Sequence, residues 1–135
     1  MEYAGDPKLP EQKWAETARY YERAITEYGW PQYQPMLEFV NRLSSTKCSE
    51  VLFPSTSMLT LVISMIAIEP WLRPQVKITY IGKDGFHLEW CREPGVRVIK
   101  EQVDAIDDQT LIARILAWLD VPQFYATSPL RRPQG

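Results

Sequence analysis

Hydrophobic and polar positions alternate with a period of two between Gln75 and Glu101, which predicts a three-stranded β-meander. Val76, Ile78 and Tyr80 alternate with Lys77 and Thr79, and Phe86, Leu88 and Trp90 alternate with His87, Glu89 and Cys91. Gly82-Lys83-Asp84-Gly85 joins these runs, and its Asp-Gly step favours a tight turn. Glu93-Pro94-Gly95 supplies a second turn, after which Val96 and Val98 point to the core while Arg97 and Ile99 point away. Alternation means one buried and one wet face, as in a half-exposed antiparallel sheet. The wet face then carries Lys77, His87, Glu89, Arg97 and Cys91.

Upstream the period changes to that of a helix. Trp14, Ala18, Tyr21, Ile25 and Tyr28 form one stripe, closed by Gly29 as a helix-ending glycine. Met36, Leu37, Phe39, Val40 and Leu43 give a second helix, started by Pro35 and dissolving in Ser44-Ser45-Thr46. Two short helices joined by a few residues predict an αα-hairpin. Val51-Leu52-Phe53 is an apolar run cut by Pro54, with Ser55-Thr56-Ser57 as a loop. Met58–Ile68 is rich in β-branched residues and favours a central strand, with a helix as the alternative. Leu111, Ile112, Ile115, Leu116 and Leu119 form the stripe of a closing helix, with Asp107 or Asp108 as its N-cap.

The fold class that follows is α+β: an antiparallel sheet of four to five strands, packed against two N-terminal helices and one C-terminal helix. The whole chain, 1–135, reads as one domain, with 1–9 and 120–135 loosely packed.

Composition narrows the function more than it defines it. Net charge is −2 with a pI near 5.4, so nothing draws the chain generally to nucleic acid or to anionic membrane. No apolar run reaches the ~20 residues of a membrane span. Cys48 and Cys91 lack metal-ligand spacing and, with no signal peptide ahead of them, read as reduced thiols of a cytoplasmic protein. Five Trp and seven Tyr exceed the needs of a small core. Trp30 and Trp71 sit in proline-flanked loops, where a large ring is either clamped under the loop or offered to a partner.

Candidate chemistry is sparse. His87 is the only histidine, which rules out a two-histidine metal site and leaves an outward strand position beside Glu89. Ser55, Thr56 and Ser57 either satisfy their own loop or line a pocket. Cys91, followed by Arg92, is the one route to an activated thiolate. Phosphate-binding glycine motifs, a nucleophile elbow and calcium loops are all missing, so no catalytic, metal or cofactor residues are assigned.

The run Pro74-Gln75-Val76-Lys77-Ile78, continued by Gly82-Lys83-Asp84-Gly85-Phe86-His87-Leu88-Glu89-Trp90, resembles small bacterial or phage α+β proteins. In its general build the chain is similar to toxin-immunity and phage inhibitor proteins. That resemblance implies a class and transfers no functional residue. The first reading is therefore a non-enzymatic interaction protein, such as an immunity protein, antitoxin or inhibitor. Its binding surface would hold Trp30, Trp71, Lys77, His87, Glu89 and Arg97, and its target would be a basic toxin or nuclease. The alternatives are a ligand-binding or enzymatic domain using Ser55, Thr56, Ser57 and Cys91, and a structural homo-oligomer such as a homodimer.

Overall fold

A computed structural model describes residues 10–65, 74–93, 96–106 and 109–121. Helix α1 (Pro10–Thr26) and helix α2 (Gln34–Ser44) come first, each followed by a short 3-10 turn. Strands β1 (Leu52–Ser57), β2 (Thr60–Met65), β3 (Gln75–Tyr80), β4 (Phe86–Glu93) and β5 (Val96–Val103) follow, and helix α3 (Gln109–Trp118) comes last. The sheet order is β1-β2-β3-β4-β5 and every neighbouring pair is antiparallel. The architecture is the expected α+β, with β3–β5 as the meander.

The helices form where the apolar spacing puts them. All five predicted residues of α2 are buried, and α1 buries Trp14, Tyr21 and Ala24. The Trp14 indole N–H donates to the Ser49 carbonyl (3.1 Å), tying α1 to the turn before β1. Tyr28 falls beyond the end of α1 and is 58% exposed, so it leaves the stripe assigned to it. Between helices and sheet lies one cluster that includes Leu61, Ile63, Val76, Ile78 and Leu88, all fully buried.

At the end of α3, Asp120 takes a left-handed backbone (φ 61°). Its N–H donates to Ala117 (3.2 Å), and that of Val121 donates to Leu116 (2.9 Å). This is a Schellman closure with Asp where Gly is usual. Leu119 is buried and Val121 packs on the core, so 120 and 121, expected to be loosely packed, are held by this closure.

A three-part contact holds α3 to the sheet. The Trp90 indole N–H donates to Glu101 (2.7 Å), Arg114 pairs with the same carboxylate, and the Arg114 guanidinium lies 4.7 Å from the Trp90 ring centre. The Arg114 hydrogen bond, helped by that of Trp90, holds Glu101 below its ordinary value against an opposing push from burial.

Three sequence expectations are corrected by the structure, and the strand expected in the ambiguous segment is found. Ser55, Thr56 and Ser57 belong to β1, which runs straight through Pro54; β1 lies at the sheet edge, where a residue without an N–H is tolerated. Met58 and Leu59 form the β1–β2 turn, and β2 covers Thr60–Met65, so this part of the ambiguous segment is strand. Val98 is 51% exposed instead of buried, because register shifts around Cys91 let Ile99, not Val98, pair with Trp90. Cys91 is only 2% exposed, although it lies on the face expected to be wet. Trp71, residues 66–68, the Pro94-Gly95 turn and the cap residues Asp107 and Asp108 lie outside the described residues, as does the side chain of Val96.

Gly85 shows why the Asp-Gly step matters. Its φ is 95°, and an added Cβ would stand 2.2 Å from the Val103 carbonyl oxygen of β5. Only glycine lets β4 begin this close to the end of its neighbour.

Candidate functional site

Two surfaces stand out, one on each side of the sheet. The face turned away from the helices is polar. Lys77 pairs across the strands with Glu89, Thr79 with His87, and Glu89 with Lys100. Arg97 pairs with Cys91, and its guanidinium lies 3.5 Å from Glu89. Lys77, Glu89, Cys91 and Arg97 line a shallow hollow of about 420 Å³. The predicted group Lys77, His87, Glu89 and Arg97 therefore does share one face.

Cys91 is not poised to react. Burial pushes its thiol up, against the pull of Lys77 and Arg97. Arg92, the residue expected to activate it, lies instead on the Trp118 ring (4.4 Å), and the Trp118 indole N–H donates to the Cys91 carbonyl (3.0 Å). The register puts Ser55 and Ser57 on the outer face with Val62 and Thr60, while Thr56 pairs with the core residue Leu61. The three hydroxyls therefore do not converge. Neither those two serines nor His87 enters the layer between helices and sheet, which hydrophobic side chains fill. Among the described residues no group of three or more His, Cys, Asp or Glu side chains could hold a metal ion, and no helix is long and apolar enough to cross a membrane.

The second surface lies where the end of α1 meets the β1–β2 turn. Met58 (φ 51°) and Leu59 (φ 71°) are both left-handed, the geometry of a two-residue hairpin turn that ordinarily takes Asn-Gly. Two neighbouring tyrosines of α1 bracket that turn. Tyr21 donates its hydroxyl to the Leu59 carbonyl (3.0 Å), and the Leu59 N–H donates to the Tyr20 hydroxyl (3.1 Å). Burial, reinforced by Tyr20 and Tyr33, pushes the Tyr21 phenol far up, so it remains a donor. The left-handed pair is thus fixed from the helix side.

A largely apolar cleft of about 410 Å³ opens beside this turn, lined by Tyr20, Arg23, Ala24, Tyr28, Trp30, Met58 and Leu59. Met58 is 93% exposed and Trp30 40%. The Tyr28 and Trp30 rings lie 5.4 Å apart, and a chain of ring contacts continues through Tyr33 and Tyr80 to Phe86. The exposed rings are thereby braced against the core. Arg23 is held by Glu27 (3.1 and 3.3 Å) at the rim.

Among the described residues, Trp30 is the one predicted residue that belongs to this cleft. Sequence reasoning missed Tyr20, Arg23 and Met58, and it placed Tyr28 in the core. A residue such as Met58 announces itself only if the β1–β2 hairpin is recognised. In comparisons with protein-family models, curated proteins and solved structures, nothing matches the chain.

Proposed function

We propose that the protein is a non-enzymatic interaction module that grips another protein at the cleft between α1 and the β1–β2 turn. One observation carries this reading. Among the described residues six large hydrophobic side chains are exposed, and four of them, Tyr20, Tyr28, Trp30 and Met58, line this single cleft. With Arg23 at the rim, these are the residue types enriched at protein interfaces and among their strongest anchors. The ring contacts behind Trp30 fix its position, so little side-chain freedom remains to be lost on binding. A volume near 410 Å³ suits a large apolar side chain inserted by the partner. A rigid aromatic grip of this kind would suit an immunity protein, antitoxin or inhibitor, and that is the class we favour.

The test starts from a photo-crosslinking residue placed at position 58 in cells of the source organism, with a second at position 28. The covalently captured protein is then purified and its affinity measured by calorimetry. Trp30→Ala and Met58→Ala should each weaken binding by about 2 kcal/mol, roughly thirtyfold, while Glu38→Ala on α2 should leave it unchanged. No adduct from either position, or wild-type affinity in both cleft variants, would overturn the assignment.

A further inference from the structure

The outer face of the sheet departs in charge from the molecule as a whole. The chain carries −2, yet Lys77, Arg97 and Lys100 gather on this face around a single carboxylate, Glu89. Glu89 pairs across the strands with both lysines and lies 3.5 Å from Arg97. Among the described side chains it is the only acidic one that the register places there, so the cluster keeps a net charge of +2. Neither lysine forms an ion pair among the described residues. Lys77 and Arg97, with Glu89 and Cys91, line a hollow of about 420 Å³, and Lys100 lies on the strand beyond Glu89.

We propose that this face is a second docking surface, and that its occupant is an acidic segment of a protein, carrying Asp or Glu side chains in succession. Charge complementarity carries the argument. An acidic segment is drawn to this cationic face and repelled by the net negative charge of the chain, which fixes its orientation as well as its encounter rate. Arg97 can turn its fork from the loosely held Glu89 to an incoming carboxylate, and Lys77 and Lys100 supply point charges on either side.

A nucleic-acid strand fits this face poorly. Single-stranded binding sheets present aromatic rings for base stacking. Here the register gives the outer face Phe53 at the far edge, and the Lys13 ammonium already covers its ring at 5.3 Å. Three cations are also few for a phosphate backbone.

This inference rests on the reading of the protein as an interaction module, but it uses a different surface, so the two fail separately. The full chain, labelled with nitrogen-15, is titrated with a sixteen-residue polyglutamate peptide at low salt. Amide shifts should concentrate at Lys77, Glu89, Arg97 and Lys100, and fade as salt is raised. Lys77→Glu combined with Arg97→Glu should weaken binding about tenfold or more; the milder Lys77→Gln with Lys100→Gln should weaken it severalfold with an unchanged circular dichroism spectrum. Shifts confined to the cleft residues Tyr20, Tyr28 and Met58, or no shifts at all, would overturn the proposal. A twelve-residue oligothymidylate bound at this face as tightly as polyglutamate would overturn it in favour of nucleic acid.

Discussion

Met58 and Leu59 hold a conformation that side-chain-bearing residues avoid, at a cost of roughly 1–2 kcal/mol each. The turn persists because the hydroxyls of Tyr20 and Tyr21 fix both backbone groups of Leu59. Leu59 recovers part of the cost by packing on the core, whereas Met58, almost wholly exposed, recovers none. At Met58 the strained backbone is not offset by any burial of its own side chain. Met58→Asn should therefore stabilise the fold by ~0.5–1 kcal/mol and raise the thermal midpoint by ~2–4 °C, because Asn tolerates the left-handed region and no packing is lost. Calorimetric unfolding of the two proteins checks this; an equal or lower midpoint would mean that no strain resides there. The same residue explains why the hairpin was hard to read in the sequence. Its turn lacks Asn and Gly, and the hydroxyl run Ser55-Thr56-Ser57, preceded by Pro54, imitates a loop.

Among the elements, α3 depends on Glu101 for a polar tether to the sheet. Glu101 titrates below its ordinary 4.5, because Arg114 and Trp90 bind its charged form. A carboxylate with a depressed folded value contributes stability that is complete above its unfolded value and drains away as pH falls through the folded one. Glu101→Gln should cost about 1 kcal/mol at neutral pH. The gap between the two proteins should close as pH falls below 4.5. Chemical denaturation at a series of pH values measures the gap; one that stays constant into acid would exclude the ionised tether.

The helices and the first two strands of the meander were legible because their apolar spacing is regular and their ends carry proline, glycine or Asp-Gly. Strand β5 was only half legible. Register shifts around Cys91 change which residues face the core, so Val98 turns out and Glu101 sits on the helix side beneath Arg114. No propensity marks such an irregularity in advance.

At the scale of the molecule, the cleft and the cationic face are separate devices on one scaffold. Val62 pairs with Lys77 on the outer face, whereas Met58 lies beyond the start of β2 at Thr60, in the hairpin turn bracketed by α1. Separate sites with no shared partner act additively to within ~0.5 kcal/mol. Trp30→Ala should thus leave polyglutamate binding unchanged, and Lys77→Glu with Arg97→Glu should leave the affinity of the cleft's partner unchanged unless that partner spans both surfaces. A thermodynamic cycle over the two variants reads the coupling directly. The wet face was legible in the sequence as an alternation. Its sign was not, because an acidic total conceals a local cationic excess. The cleft was legible only through Trp30, since its walls come from a helix end and a turn brought together by the fold.

The two borders of the sheet are chemically unequal. Strand β1 offers no amide at Pro54, whereas β5 shows Val98 and Ile99 to solvent and, among the described residues, has no strand beyond it. A border interrupted by a proline is a poorer template for a further strand than an unbroken one. Two copies meeting along β5 would pair the same border twice, a symmetric arrangement that leaves neither β5 free for a third copy.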